Sequence, residues 1–278
     1  KFMVPGAVTY ELLDADVFDN VGAAGEFVAF EDVTDQVRAA GEGDYWVADV
    51  QATENQANIQ AGWSLVVIYR DSDPAAPLRS VTVFDGARTY NNTAQVFNLS
   101  GFLTPLAGTV VTELGIVQTD GDRGKGDTMV LTSGALTTNV GDAISPNTDV
   151  MNSTISRNGA AVPAASREPA HANTLGFDAD FFSLTNRLPN GATSATLTVR
   201  TTNENVYGGV VIFSTDIYIP NLLGTKGADD LNGGALLPAL REARRRRQQH
   251  RRRQVVDRVV ARVLERVERD ALAGAGEA

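Results

Sequence analysis

The sequence has no cysteine and only two histidines, His171 and His250. The first absence removes disulfides, thiolate zinc sites, iron–sulfur clusters and thiol nucleophiles together. The second leaves little material for a histidine-based catalytic or metal centre. No apolar run approaches the ~20 residues that a membrane-spanning helix needs. Neither a GxGxxG turn after a strand nor a GxxxxGKS/T loop occurs, so nucleotide binding has no support. Ser64 follows Gly62 and Trp63 but lacks the second glycine of a nucleophile elbow. His171 lies in a polar stretch whose one nearby acid is Glu168.

What is present is a chain of 278 residues, 43% apolar, long enough to bury a core without covalent staples. Its net charge of −10 hides a division. Residues 1–226 carry 26 acids against 12 bases, a net −14. Residues 227–278 carry 8 acids against 12 bases, all of them arginine, a net +4. The first part is rich in Thr, Val, Asn, Gly and Ala. The compositional shift near residue 222 is the clearest boundary in the chain.

The acidic part reads as strands and turns. Trp63, Leu65, Val67 and Tyr69 alternate with Ser64, Val66, Ile68 and Arg70, as in an extended chain. Both sets contain large apolar side chains, which predicts a central strand. Asp71 to Pro77 breaks the pattern with turn residues and Ser80 to Phe84 resumes it, so 61–86 reads as a hairpin with a long loop. Tyr45–Val50, Thr109–Thr119, Asp127–Thr132, Ala195–Arg200 and Val206–Tyr218 are further strand-like runs. Only Val33–Ala40, closed by Gly41, reads as a short helix, with Asp32 or Thr34 as its cap. Short strands with frequent turns predict an all-β fold, an antiparallel, jelly-roll-like β-sandwich over residues 1–220.

Three acidic clusters invite chemistry. In TDGDRGKGD, residues 119–127, Asp120, Asp122 and Asp127 offer hard oxygens, and Gly121, Gly124 and Gly126 let carbonyls turn inward. Ca²⁺ takes six to eight oxygens at about 2.3–2.6 Å, so this loop is a candidate calcium site, although its spacing is not that of an EF-hand. Arg123 and Lys125 would compete with a cation, and the alternative is a solvated hairpin loop. Asp178 and Asp180 share one face of LGFDADFF, with Phe177, Ala179 and Phe181 on the other. Such a pair could serve glycoside hydrolysis when the carboxyls are about 5–9.5 Å apart. It could also contribute to a metal site or simply face solvent. Asp14, Asp16, Asp19 and Asn20 form the third cluster, with the same bland alternative. Trp46, Trp63, Tyr69 and Tyr90 could build a sugar-stacking platform or belong to the core. Asn91, Asn98 and Asn152 stand in N-x-S/T sequons, which matter only in a glycosylating host.

Several stretches, in order, carry a family resemblance: FVAFEDVTDQV, GDYWVADVQ, AGWSLVVIYRDSDPAAPLRSVTVFDG, GFLTP, GDRGKGD, NTLGFDAD, LPNGATSATLTV and GVVIFSTDIYIPNL. Together they resemble the β-sandwich module that precedes tandem conserved-repeat domains in exported cell-surface proteins of actinobacteria and other bacteria. The resemblance implies a secreted or surface-displayed, non-enzymatic structural or adhesion module. Its partner would be a cell-wall or host-surface glycan or protein, and it carries no established catalytic residues. A calcium-dependent, lectin-like sandwich using Trp46 and Trp63 is the alternative, and a glycoside hydrolase a more distant one. The resemblance also implies strands ahead of Lys1 that this chain lacks, and places the opening of a following repeat in ADDLNGGALLP within the linker 221–238. No signal peptide is readable.

The arginine-rich tail, 239–278, departs from that pattern. RRRRQQHRRR, residues 244–253, carries seven arginines. Val255, Val256, Val259, Val260, Val263, Leu264 and Val267 then recur at helical spacing, which predicts a basic amphipathic helix. Through 244–269 it could touch an anionic membrane. It could instead pair with a partner or with the acidic body, or be the product of a shifted reading frame in a GC-rich gene. Nucleic-acid binding is disfavoured, because a net −14 body would repel the phosphates.

Overall fold

The computed structural model describes residues 1–21, 26–53, 61–70, 73, 76–167, 170–219 and 258–262. Its strands are β1 (Phe2–Met3), β2 (Val17–Val21), β3 (Glu26–Phe30), β4 (Trp46–Val47), β5 (Leu65–Tyr69), β6 (Arg79–Tyr90), β7 (Gln95–Ser100) and β8 (Thr112–Thr119). They continue with β9 (Thr128–Ser133), β10 (Leu136–Val140), β11 (Ile155–Arg157), β12 (Ala160–Ala161), β13 (Asp178–Ser183), β14 (Ser194–Arg200), β15 (Val206–Asp216) and β16 (Arg258–Arg262). One helix, α1, spans Thr34–Ala40. Its N-cap is Val33, not the expected Asp32 or Thr34, and no side chain caps it; Asp32, one residue further out, accepts the Thr34 N–H at 2.9 Å, and Gly41 closes the helix at positive φ.

The expected all-β sandwich is present. A six-stranded sheet in the order β12-β11-β13-β8-β15-β6 faces a four-stranded sheet in the order β10-β9-β14-β7. Every pairing in the two is antiparallel except β11 with β13. The chain repeatedly crosses from one sheet to the other, so each layer is assembled from distant segments. Alternation builds the space between them. Leu114 and Ile116 of β8, Phe182 of β13 and Phe213 of β15 point in from one side. Met129 and Leu131 of β9 with Leu197 and Val199 of β14 point in from the other. All eight are nearly or wholly inaccessible to solvent.

The outer face of the six-stranded sheet is covered as well. Phe181 and Ile212 pack there with Val66, Val81, Val83 and Val210. A smaller cluster of Phe2, Tyr45 and Leu65, joined by Val37, Trp63 and Val67, lies beyond them. Strand β5 therefore has two apolar faces because it lies between these clusters. The hairpin expected over 61–86 does not form, since β5 pairs with β16 while β6 pairs with β15. The β2–β3 hairpin lies against β6, where the Asp19 carboxylate approaches Gly86, and it stacks Phe18 on Phe27 at 5.0 Å.

The helix expected over 239–278 is corrected where the structure describes that region. Residues 258–262 are a strand, antiparallel to β5, with Val260 opposite Val67. Two physical terms favour this state. Adjacent β-branched valines lose side-chain freedom in a helix, and an open strand edge supplies ladder hydrogen bonds outside the chain's own turn. The rest of the tail and the 221–238 linker lie outside the described residues.

Candidate functional site

The acidic residues singled out above do not gather where the sequence suggests. In the 119–127 loop the backbone turns its N–H groups, not its carbonyls, toward a charge. Gly124 and Lys125 donate to the Asp149 carboxylate at 2.8 and 3.1 Å, and Asp122 N–H donates to Glu204 Oε2 at 3.0 Å. A loop whose donors converge on carboxylates forms an anion nest rather than a cation cradle. The Asp122 side chain is exposed, Asp120 is half-buried, and Asp127 is wholly buried and faces elsewhere. Among the described residues, no three acidic or histidine side chains are grouped so as to hold a metal by themselves.

Asp178 and Asp180 do share a face, and it is the inner one. Asp178 pairs with Gln118 and Asp180 with Ile116 across the β8–β13 ladder, so both carboxyls enter the sandwich beside Phe182. Both are fully buried. Phe177, Ala179 and Phe181 point outward, and they too are buried because that face is covered. Arg157 lies over the Phe181 ring at 5.6 Å. Two covered faces leave the aromatic residues no privileged side.

The pair is held asymmetrically. Asp178 Oδ1 accepts the N–H groups of Asn152 and Thr154 at 2.8 and 3.1 Å. Its other oxygen has no hydrogen-bond partner, and neither has Asp180 Oδ2. Burial pushes the Asp178 carboxyl well above the usual carboxylate range, and Asp180 beside it pushes further. Burial also raises Asp180, to about 7, with Asp142 adding to the rise. Two neighbouring buried carboxyls are most economically accommodated as neutral acids.

One end of the sandwich holds a polar layer that includes residues the sequence reading missed. Gln118 continues the inner face of Leu114 and Ile116, and both of its amide atoms are unbonded. Asp127 continues the inner face of Met129 and Leu131, again with both oxygens unbonded. Thr201 continues that of Leu197 and Val199 just past the last registered pair, Arg200 with Thr128. Its hydroxyl is unbonded too, as is Glu204 Oε1. Thr201 and Glu204 lie close enough to Asp127 to temper, without cancelling, the effect of its burial. Burial raises Asp127 to about 6. Burial and then the Asp127 charge raise Glu204 to about 8. The signal for these residues was available: each is a polar residue at the phase of an apolar face.

The remaining candidates sit apart. Trp46 is half-buried on β4, which pairs with β1, and Trp63 packs against the Phe2–Tyr45–Leu65 cluster with its Nε1 buried. The two do not present a common sugar-stacking face with Tyr90, which is buried in the main core and covers Gly208. A groove of about 260 Å³ opens where the edge strands β6 and β7 diverge, lined by Phe84, Arg88, Tyr90, Phe97, Asn98 and Val210 among others. No family model, curated protein or solved structure matches the chain.

Proposed function

We propose that this chain is a non-enzymatic module of an exported bacterial cell-surface protein, used for structure or adhesion. The observation that carries the reading is the burial of Asp178 and Asp180. The Asp178–Asp180 pair, the sequence's candidate for hydrolysis, is fully buried beside Phe182, out of reach of a glycoside. The order and spacing of the family-like stretches supply the cell-surface context. The partner in this reading is a cell-wall or host-surface glycan or protein. The test is a retention assay of the full chain on cell-wall fragments and immobilised surface glycans, run beside a glycoside turnover screen. Retention without turnover is expected. Turnover that disappears in Asp180→Asn would overturn the reading.

The β6–β7 groove favours a second reading, a carbohydrate-binding sandwich. It sets aromatic rings next to Arg88 and Asn98, the combination that stacks on sugar faces and bonds hydroxyls. On a glycan array, specific binding lost in Phe97→Ala and Arg88→Ala but kept in Trp46→Ala would promote it.

A further inference from the structure

The polar layer at the sandwich end contains more oxygens than the protein itself satisfies. Gln118 Oε1, both oxygens of Asp127, Thr201 Oγ1 and Glu204 Oε1 are all buried and all without a hydrogen-bond partner. Gln118, Asp127 and Thr201 are at most 1% exposed as whole residues. A buried amide or carboxylate with neither atom bonded is rare in a native interior, and each such group calls for a partner. These groups come from both sheets. β8 brings Gln118 into the row that also holds Asp178 and Gly208, while β9 and β14 bring Asp127 and Thr201 from the facing layer. Segment 150–152 ties the layers together, because Val150 N–H donates to the Asp127 carbonyl and Asn152 N–H to the Asp178 carboxylate.

We propose that Gln118, Asp127, Thr201 and Glu204 form a calcium site between the ends of the two sheets. The donor set is all oxygen, without nitrogen or sulfur, which suits a hard cation and not zinc. Two carboxylates balance a divalent charge, and an amide and a hydroxyl oxygen extend the shell, which water completes. This mixture of neutral and charged donors in an irregular cage suits Ca²⁺ better than Mg²⁺, which demands a tight octahedron and holds its own waters. Asp178, which stands in the same row as Gln118, is held there as a neutral acid and is not a ligand. Glu204 is only half-buried and sits at the rim, where it gives the ion an entrance. The 119–127 loop adjoins the site, since its Asp122 N–H donates to Glu204 Oε2 at 3.0 Å and steadies that carboxyl at the rim.

Calorimetric titration of the chelator-stripped full chain with calcium chloride tests the proposal. One saturable site is expected, together with a calcium-dependent rise in melting temperature. Thr201→Val and Gln118→Met should each weaken binding roughly tenfold or more, the scale on which metal sites respond to lost support. Glu204→Gln, at the half-exposed rim, should weaken it too and keeps the readout if a core variant misfolds. Asp35→Asn, on the exposed α1, should leave the affinity unchanged. Absence of binding heat, or an affinity unchanged in Thr201→Val, Gln118→Met and Glu204→Gln, would overturn the assignment.

Discussion

Asp178 stands directly across the β8–β13 ladder from Gln118, and both side chains enter the sandwich with polar atoms left unbonded. This cross-strand pair begins the polar layer that closes one end of an otherwise apolar core. Its consequences for stability can each be measured.

The buried acids give the fold an unusual pH response. Asp180 is raised to about 7, Glu204 to about 8, and Asp178 well above its ordinary value, whereas the unfolded carboxyls titrate at about 4. For a group raised on folding, the unfolded chain releases its proton first, so stability falls as pH rises between the two values. In chelator, urea unfolding midpoints should therefore decline from about pH 4.5 to about pH 8. Asp180→Asn should flatten the decline and equal or exceed the parent at the alkaline end. A midpoint that climbs over the same range would contradict this.

Gly121 is fixed by contact rather than by backbone angle. A Cβ there would collide with Asp178 Oδ2 and meet the Met151 side chain at 3.0 Å. Its N–H is also spent on the Gly176 carbonyl at 3.0 Å, so the turn has no room to retreat. Gly121→Ala should cost about 2–3 kcal/mol through overpacking, read from chemical denaturation. Gly124→Ala meets no atom within 4 Å and should cost less, chiefly through its positive φ.

Much of the sandwich was legible from alternation, and the places where the reading failed have physical causes. In β9 and β14 the apolar phase is clean because one face meets the core and the other is more open. In β13 and β5 both faces are covered, so hydrophobicity no longer marks the inside. Phe181 could be taken for the core side, and Asp178 for the solvent side, whereas Asp178 enters the sandwich and Phe181 lies on the covered outer face. Pairing between distant segments was illegible for a different reason. The β5–β6 sequence has every local mark of a hairpin, yet longer-range packing gives the two strands separate partners. The polar layer left a trace, since Gln118, Asp127 and Thr201 all keep the phase of an apolar face, but polarity alone drew attention to the exposed loop instead.

Arg79 ties the far end of the same sheet. Its guanidinium reaches Glu113 Oε2 at 3.2 Å and Asp216 Oδ1 at 3.4 Å, joining β6 to β8 and β15, and all three side chains are at most 20% exposed. Asp216 in turn accepts the Val111 N–H at 2.9 Å. Arg79→Met would leave two carboxylates facing each other with little water. A loss of about 3 kcal/mol is expected from the urea midpoint. Arg38→Met, which breaks an exposed pair with Asp35 on α1, should change it by less than about 0.5 kcal/mol.

Phe182 shares the inner face of β13 with the two acids and is 1% exposed. Phe182→Ala should cost about 3–5 kcal/mol by opening a cavity between the sheets. The same truncation at Phe18, which is 57% exposed on the β2–β3 hairpin, should cost far less. Paired thermal melts of the two variants measure that difference, and equal losses would contradict the burial of Phe182 between the sheets.

The paired acids of β13 point into the core and hold protons there. Carbon-detected NMR titration of the aspartate carboxyls, on the folded chain in chelator, tests this most directly. Asp180 should titrate at about 7, and Asp178 should stay protonated beyond the usual carboxylate range. Titration of both at about 4 in the folded protein would show them facing water and would contradict it.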